Sequence, residues 1–435
     1  MIQLIVDNSY SQVTGLTTEQ FRALRKLLSY QTDSHAAYFS GGRTYTKYMI
    51  DKKGFFPSGL LTKVHNWLVM DMQLDIKKLN INKKPRKLAN FPKLKLKHEP
   101  YDCQRTARVR ASLFQRGCIS MPTGTGKSVV IAMIIATFKV KTLIVVPTLE
   151  LKNQLKETLA SYFGNTRLIT VENIDSKNLK KPRDYDCLII DEAHHVAAKT
   201  YQTLNKTVWS GIYHRFFLTA TAFRNKDEEK LLFEGIAGRI LYKLSYEESV
   251  RKKYIVPVEA YYVDLPKQKT DAYTWAQVYS ELVVNNDYRN GKIAGILEGL
   301  YTEGNHTLCL VKEIAHGKKL SELTDIPFVN GQDEDSRFYI QHFNEGKRYK
   351  WLIGTTGILG EGVDTKPCEY VIIAGLGKAK SQFMQQVGRA VRNYPGKESA
   401  KIILFRDTSH KFTLRHFKEQ CKILKEEYGI EVVKL

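Results

Sequence analysis

Eight consecutive residues, Met121-Pro122-Thr123-Gly124-Thr125-Gly126-Lys127-Ser128, constrain the fold more than any other stretch of the chain. A short apolar segment precedes them, and an apolar helical stretch from Val129 to Phe138 follows. Glycines 124 and 126 let successive backbone N–H groups turn toward phosphate oxygens, and the helix adds its positive end. Lys127 can then reach the β and γ phosphates, and Ser128 can hold magnesium. Strand, glycine-rich loop and helix in this order read as a phosphate-binding loop on a parallel sheet. Met121 stands where the general GxxxxGK[ST] pattern has its first glycine, so the strict pattern is not met.

A parallel sheet with such a loop needs a carboxylate nearby, and the chain supplies two. Cys187 to Ile190 is an apolar strand that ends in Asp191 and Glu192, followed by Ala193, His194 and His195. At the carboxyl end of its strand Asp191 can bind magnesium through water, and Glu192 can polarise an attacking water. Taken in isolation, the acids could instead mark a helix N-terminus and the two histidines a simple polar pair. A zinc site is disfavoured, because neither an HExxH pattern nor a cysteine cluster accompanies them.

The same alternation of strand, loop and helix continues from about residue 98 to the end. Apolar strand candidates lie at 117–121, 142–147, 187–191, 215–219, 307–311, 326–329, 351–355, 369–374 and 401–405, with helical stretches between most of them. This pattern predicts α/β architecture with parallel sheets covered by helices, in two lobes rather than one. The expected division is an N-terminal domain and linker at 1–97, a first lobe at 98–255 and a second at 256–435.

Residues 1 to about 76 read differently. An apolar opening strand is followed by Thr17 and Gln20 in a capping-box pattern, with Phe21, Leu24 and Leu28 at helical spacing. Arg22, Arg25 and Lys26 fall on the other side of that helix, ahead of a Gly41-Gly42 turn and a tyrosine-rich segment. This predicts a small α+β unit. The chain carries a formal charge of +22, and residues 1–100 hold 17 Lys and Arg against 7 Asp and Glu. Such an excess favours a polyanionic partner, and nucleic acid is the expected class. From Lys77 to Lys97 nine residues are basic and none acidic, with prolines at 85 and 92, which reads as a charged linker. Its last part, Lys93 to Lys97, alternates Lys and Leu, so an extended conformation would put three ammonium groups on one side. A solvated tether and a phosphate-contacting clamp fit equally.

Six dispersed cysteines without a CxxC pair argue against a disulfide framework or a zinc cluster. No apolar run approaches the length of a membrane span, and Asp7 comes too early for a secretory signal. A soluble protein of the cytoplasm, or of the host cytoplasm if phage-encoded, is the expectation.

With the phosphate loop, Asp191-Glu192-Ala193-His194 and Thr219-Ala220-Thr221 in order, the chain resembles a superfamily 2 helicase or translocase of DEAH type. Pro147 to Gln154 resembles motif Ia, with Leu149 where arginine is common. Leu352 to Asp364 resembles motif V, and Gln385 to Arg392 matches the QxxGRxxR of motif VI. The resemblance covers residues 101–392 and implies two RecA-like motor lobes preceded by the small basic domain. It implies ATP and magnesium as ligands, with Lys127, Asp191, Glu192, Gln385, Arg389 and Arg392 catalytic. Gln104 would recognise adenine. Thr123, Gly124, Thr125, Gly126, Lys127, Ser128, Gly362 and Asp364 would line the nucleotide, and Ser128 and Asp191 would hold the metal. Arg389 and Arg392, projecting from one helix, would act as arginine fingers with Gln385 near the attacking water. Thr219 and Thr221 would couple hydrolysis to lobe movement.

Nucleic acid would meet Thr148, Lys312, Thr355 and Thr356, with Arg22, Arg25 and Lys26 adding phosphate contacts. Such contacts read backbone rather than sequence. Taken singly, the first four are also what ordinary loop residues look like. Within the superfamily the motifs resemble the group containing phage UvsW-type helicases, XPB-like proteins and restriction-enzyme motors, and the short basic front domain is most like the UvsW type. The implied activity is ATP-dependent remodelling of branched or duplex DNA in replication, recombination or repair. A restriction-type translocase with a separate nuclease, an RNA helicase, and a nucleic-acid-binding scaffold with an inactive ATPase are the alternatives.

Overall fold

The structure, a computed structural model, describes all residues except 34–43, 181–183, 221–226, 347, 360–364, 366, 376 and 378–379. Two compact units are distinguished. One comprises Met1–Met121 with Gly126–Lys243, and the other comprises Leu244–Leu435 with the four residues Pro122–Thr125.

The first unit begins with β1 (Ile2–Val6) and β2 (Tyr10–Thr14), then a hairpin of β3 (Ser29–Asp33) and β4 (Thr44–Tyr48), then β5 (Phe55–Pro57) and β6 (Ile76–Asn80). Four of these make a mixed sheet in the order β5-β2-β1-β6, antiparallel except where β1 runs parallel to β6. Along β1, Ile2, Leu4 and Val6 point inward and meet Leu24, Leu28, Phe56 and Val64. The helix Thr18–Leu27 starts at the expected capping box, Gln20 N–H donating to Thr17 Oγ1 at 3.2 Å and Thr17 N–H to Gln20 Oε1 at 2.9 Å. The expected Gly41-Gly42 turn lies outside the described residues.

Behind it stands a six-stranded, wholly parallel sheet of β7 (Arg116–Ser120), β8 (Thr142–Val146), β9 (Ile169–Asn173), β10 (Cys187–Ile190), β11 (His214–Thr219) and β12 (Ile240–Lys243), ordered β12-β7-β11-β10-β8-β9. Strands β8, β10 and β11 are buried along their whole length, which is why their Leu143–Val146, Cys187–Ile190 and Phe216–Leu218 stretches appear in the sequence as apolar runs. The small domain is fixed to this lobe by polar groups as well as by packing. Arg215, fully buried on β11, donates to Asn8 O at 3.2 Å, Ser9 Oγ at 2.6 Å and Trp209 O at 3.3 Å, and also to Asn205 Oδ1. Arg116 donates to the same Asn8 carbonyl. Leu231, on the helix Asp227–Ala237, joins the apolar core of the small domain.

The linker expectation for 77–97 needs correction. Ile76–Asn80 is a sheet strand, held by its pairing with β1. Beyond it the chain lies on the lobe: Leu88 N–H donates to Lys139 O and Lys95 N–H to Tyr162 O, both at 2.8 Å, while buried Phe91 stands edge-on to Phe163. Lys93, Lys95 and Lys97 are exposed with Leu94 and Leu96 turned inward, so the alternation holds without a strand partner.

The second unit has a seven-stranded parallel sheet of β13 (Val258–Asp264), β14 (Thr307–Val311), β15 (Phe328–Val329), β16 (Trp351–Thr355), β17 (Tyr370–Ile373), β18 (Ala400–Arg406) and β19 (Val433–Lys434), ordered β15-β16-β14-β17-β18-β13-β19. Its two faces are covered by helices, with one core around Leu308, Leu352 and Leu404 and another around Cys309, Ile353 and Ile403. The expected α/β class and the nine apolar strands are present, although 326–329 is reduced to two strand residues. Among the described residues no helix is long and apolar enough to cross a membrane.

Candidate nucleotide site and nucleic-acid edge

Parallel strands put their loops on one edge, and β7, β11 and β10 are adjacent in the first sheet. The phosphate loop, Thr219 and Asp191 therefore converge without any long side chain having to reach. Helix Lys127–Phe138 begins directly after Gly126, whose φ of +80° few side chains adopt, and a Cβ there would run into Gln104 Nε2. Lys127 Nζ lies 3.9 Å from Glu192 Oε1, both largely buried. Glu192 itself has φ +48°, an uncommon backbone for a non-glycine residue and one that sets its carboxylate against the loop. Burial alone would raise its pKa, but the Lys127 charge and the His194 hydrogen bond hold it well below the usual carboxylate range.

His194, which the sequence left as one half of a polar pair, joins this cluster. It is buried, and its Nδ1 stands 3.4 Å from Glu192 Oε2 and 3.4 Å from Thr219 Oγ1. A continuous polar chain thus runs from Lys127 through Glu192 and His194 to Thr219. The only signal in the sequence was a histidine two residues after Glu192. The Thr219 carbonyl also accepts Met121 N–H at 3.0 Å, tying β11 to the root of the loop. Asp191, at the end of β10, accepts Glu192 N–H at 2.9 Å.

Gln104 sits in the first turn of the helix Asp102–Phe114, buried, with its Oε1 accepting Tyr101 N–H at 2.9 Å. Its side chain therefore caps a helix as well as touching the loop. For a magnesium ion, Ser128 and Asp191 offer hard oxygen donors, which fits a metal that takes its remaining ligands from phosphate and water. Among the described residues no group of three His, Cys, Asp or Glu forms a protein-only metal site.

In the second unit, Gly388 on the helix Lys380–Ala390 packs against the loop segment that belongs to this unit. A Cβ on Gly388 would stand 2.8 Å from Thr123 Cβ and 3.1 Å from its Oγ1, closer than side chains approach. A Cβ on Gly124 would be 3.3 Å from Arg392 Cγ. Thr125 Oγ1 donates to Pro122 O at 2.7 Å and closes the loop. Arg389 is in the last helical turn and buried, its carbonyl accepting from Thr365 Oγ1 at 3.3 Å. Arg392 is not on this helix as expected. It lies beyond the helix end in an antiparallel bridge with Ile255, its carbonyl taken by Lys397 Nζ at 3.0 Å. Gln385 faces outward enough to be half-buried, on the same helix as Arg389.

Comparison with known proteins finds two domains on the chain. Residues 95–184 match the family described as Type III restriction enzyme, res subunit, and residues 295–394 match the Helicase conserved C-terminal domain. These are the two domains that the superfamily 2 helicase motifs imply, and they fall in order on the chain. They imply an ATP-hydrolysing enzyme, with the two helix-covered parallel sheets as RecA-like lobes. It is 29% identical to the DNA 3'-5' translocase XPB2 of Sulfurisphaera tokodaii, over 69% of this chain and 80% of that one. It is 21% identical to the ATP-dependent DNA helicase uvsW of Enterobacteria phage T4, over 70% of this chain and 68% of that one. It spans only about half the length of two haloarchaeal Rad25 helicases that it also matches. In fold it resembles a fragment of the HsdR subunit of a type I restriction enzyme from Vibrio vulnificus, with a TM-score of 0.59 at 18% identity, over 98% of this chain and 84% of that one.

The remaining helicase residues sit on the carboxyl edges of the two sheets. Thr148 caps the helix Leu149–Phe163, its Oγ1 accepting Leu151 N–H at 3.3 Å, which leaves its own O–H free of that bond to donate elsewhere. Lys312 follows β14 and is exposed, while Thr355 ends β16 and is buried. Thr356 accepts from Gln382 Nε2 at 3.2 Å. In the small domain Arg22 and Lys26 are exposed, but Arg25 is stacked 4.0 Å from the Tyr48 ring, so one of the three expected cations is partly committed to the hairpin. Thr221, Gly362 and Asp364 lie outside the described residues.

Proposed function

We propose that this helicase is a DNA-dependent ATPase that moves on DNA and remodels branched structures such as forks and four-way junctions. The observation that carries the proposal is the connected chain Lys127–Glu192–His194–Thr219, in which a phosphate-facing cation, a water-polarising carboxylate and a strand-end hydroxyl are coupled by contacts of 3.4 to 3.9 Å. Bound magnesium would neutralise phosphate charge and be held by Ser128 and Asp191. The loop N–H groups and Lys127 would bind the β and γ phosphates, and Gln104 would face the base. Glu192, kept ionised by Lys127, would orient and deprotonate the attacking water. Arg389 and Arg392 would stabilise charge developing on the transferred phosphoryl group, with Gln385 beside the water. Thr219, with Thr221, would pass the state of that site to β11.

DNA as the partner is supported by the names of the XPB2 and uvsW relatives and by the +22 charge. Thr148, Lys312, Thr355 and Thr356 would hold its backbone, and the small domain, through Arg22 and Lys26, would hold a second arm. A restriction-type translocase acting with a separate nuclease is the second reading, favoured by the family match at residues 95–184.

The experiment compares steady-state ATP turnover of the parent protein and Glu192→Gln, alone and with forks, four-way junctions, linear duplexes and RNA:DNA hybrids. Glu192→Gln should bind nucleotide and lose turnover. Stimulation by junctions above linear duplex of equal length supports remodelling. Stimulation that grows with linear duplex length and ignores branches supports the translocase. Near-parental turnover in Glu192→Gln removes Glu192 from the chemistry.

A further inference from the structure

The carboxyl edge of the second sheet does not end at Lys312. Strands β14, β17, β18 and β13 are successive neighbours, so loops leaving β18 and β13 continue the same edge for three strand spacings, or roughly 14 Å. Those two loops are joined: Leu265 N–H donates to Arg406 O at 2.9 Å and Gln268 N–H to Ser409 Oγ at 2.9 Å. None of their residues belongs to a helicase motif.

Aromatic rings link this region to Lys312 as a support beneath the surface, Tyr279 being buried and Trp275 and Phe412 half-buried. Lys312 Nζ stands 5.3 Å from the Tyr279 ring, Tyr279 is 5.3 Å from Trp275, and Trp275 is 6.1 Å from Phe412. Lys411 Nζ and Arg415 Cζ then lie 5.6 and 5.4 Å from the Phe412 ring. The rings also fix the cations in place, which reduces the side-chain entropy lost on contact with a ligand. Across residues 265–275 and 408–418 there are five Lys and Arg and a single acid, Asp271. Lys267, Lys269, Lys411 and Arg415 are exposed. The 18-residue helix Lys411–Tyr428 starts here with no acid in its first turn, adding positive potential. Tyr273, four residues after Lys269 and two before Trp275, is 85% exposed.

We infer that this ladder is a second nucleic-acid contact, a track that carries a single strand of DNA onward from Lys312 across Phe412 to Lys411 and Arg415, with Tyr273 stacking on a base. A row of exposed cations beside an exposed aromatic ring is the chemistry that holds single strands without regard to sequence. The added length corresponds to roughly four nucleotides at the per-strand rise of B-DNA, and fewer if the strand is stretched. The inference rests on the proposed DNA role of Lys312.

The test uses the full-length protein, fluorescein-labelled oligothymidylates of graded length, and anisotropy titrations over a salt series. Lys411→Glu with Arg415→Glu should weaken binding to long oligonucleotides about tenfold or more and lower the salt slope by about 1.4, from two lost phosphate contacts. The length beyond which affinity stops rising should shorten by roughly the added four nucleotides. Tyr273→Ala, which leaves the charge untouched, should weaken binding roughly fivefold or more. Thermal midpoints should stay at the parental value, because all three side chains point to solvent. Unchanged affinity, slope and length dependence in both variants overturn the track. Lys312→Ala separates the two readings. If it weakens binding while the Lys411/Arg415 variant does not, the DNA edge stands and the track falls. If it has no effect while the Lys411/Arg415 variant does, the continuous path from Lys312 is overturned. No effect from either removes both.

Discussion

Replacing Arg215 with methionine tests how firmly the small domain is fixed to the first lobe. The guanidinium makes four hydrogen bonds, yet most of its acceptors have a second donor or bond of their own. Asn8 O keeps Arg116, Trp209 O keeps Ile212 N–H at 3.2 Å, and Ser9 Oγ keeps its donation to Asn205 O at 2.7 Å. Asn205 Oδ1, on a residue only 2% exposed, loses the donor it has in Arg215. A stranded buried acceptor costs about 1–3 kcal/mol, and the lost charge-assisted bond to Ser9 adds about 1.5–3 kcal/mol. Against this, the variant no longer buries a cation whose pKa burial lowers to about 9, with neighbouring Arg116 pushing the same way and Asp7 opposing. The net expectation is about 2–4 kcal/mol, or roughly 30- to 700-fold in a local opening equilibrium. Because the chain has two compact units, a global unfolding midpoint would blur this effect. Amide hydrogen exchange followed by mass spectrometry resolves it. Exchange in Ile2–Thr14 should accelerate by that factor while Trp351–Thr355 in the other unit stays unchanged. If Ile2–Thr14 exchanges within about threefold of the parent, less than 1 kcal/mol, the polar dock is not what holds the domain.

Other expectations follow from single contacts. Gly388→Ala should cut ATP turnover strongly with the fold retained, because its Cβ would press into Thr123; parental turnover would show that the loop gives way freely. Arg389→Ala should lower the maximum hydrolysis rate by up to about 10³-fold while nucleotide affinity changes little, and the reverse pattern would make it a binding residue only. Burial lowers the His214 pKa to about 4, helped by Lys84 and Lys87 and opposed by a backbone hydrogen bond. Its folded pKa lies below the unfolded value, so the stability it contributes is complete above pH ~6.5 and is lost as pH falls toward about 4, reaching about 2 kcal/mol at pH 5. His214→Phe keeps the ring packing on Phe138 and should flatten the thermal midpoint between pH 7.5 and 5; coincident pH profiles for parent and variant would sink this account.

Removal of residues 1–97 is a poor test of the small domain, since it would expose Arg215, Leu231 and the face under Phe91 together. Arg22→Glu with Lys26→Glu is cleaner. Loss of junction-stimulated turnover with linear-duplex stimulation intact is the expected result.

Where a strand is buried on both faces, its apolar run alone identified it, and loops at the ends of such strands could be assigned chemistry from local spacing. That covers the phosphate loop, Asp191-Glu192, the helix with Gln385 and Arg389, and the Thr17 capping box. Strands with a wet face escaped notice: β12 is mostly half-buried, β19 is exposed, and β13 alternates Glu259 and tyrosines with its buried residues, so its place between β18 and the edge strand β19 was invisible.

What the residues determined by themselves is therefore local: which runs must be buried, which turns can hold phosphate, which end of a helix is capped. The tertiary structure decided what depends on partners far along the chain. Asn8 and Arg215 meet across 207 positions, and neither side chain carries a sign of the other. His194 becomes a link only because β10 and β11 pair in register, bringing it to Thr219. Arg392 leaves its helix because a bridge to Ile255 competes for its backbone. The basic run at 77–97 is strand and strap because β1 and two helix ends supply the hydrogen-bond partners that its own composition could not.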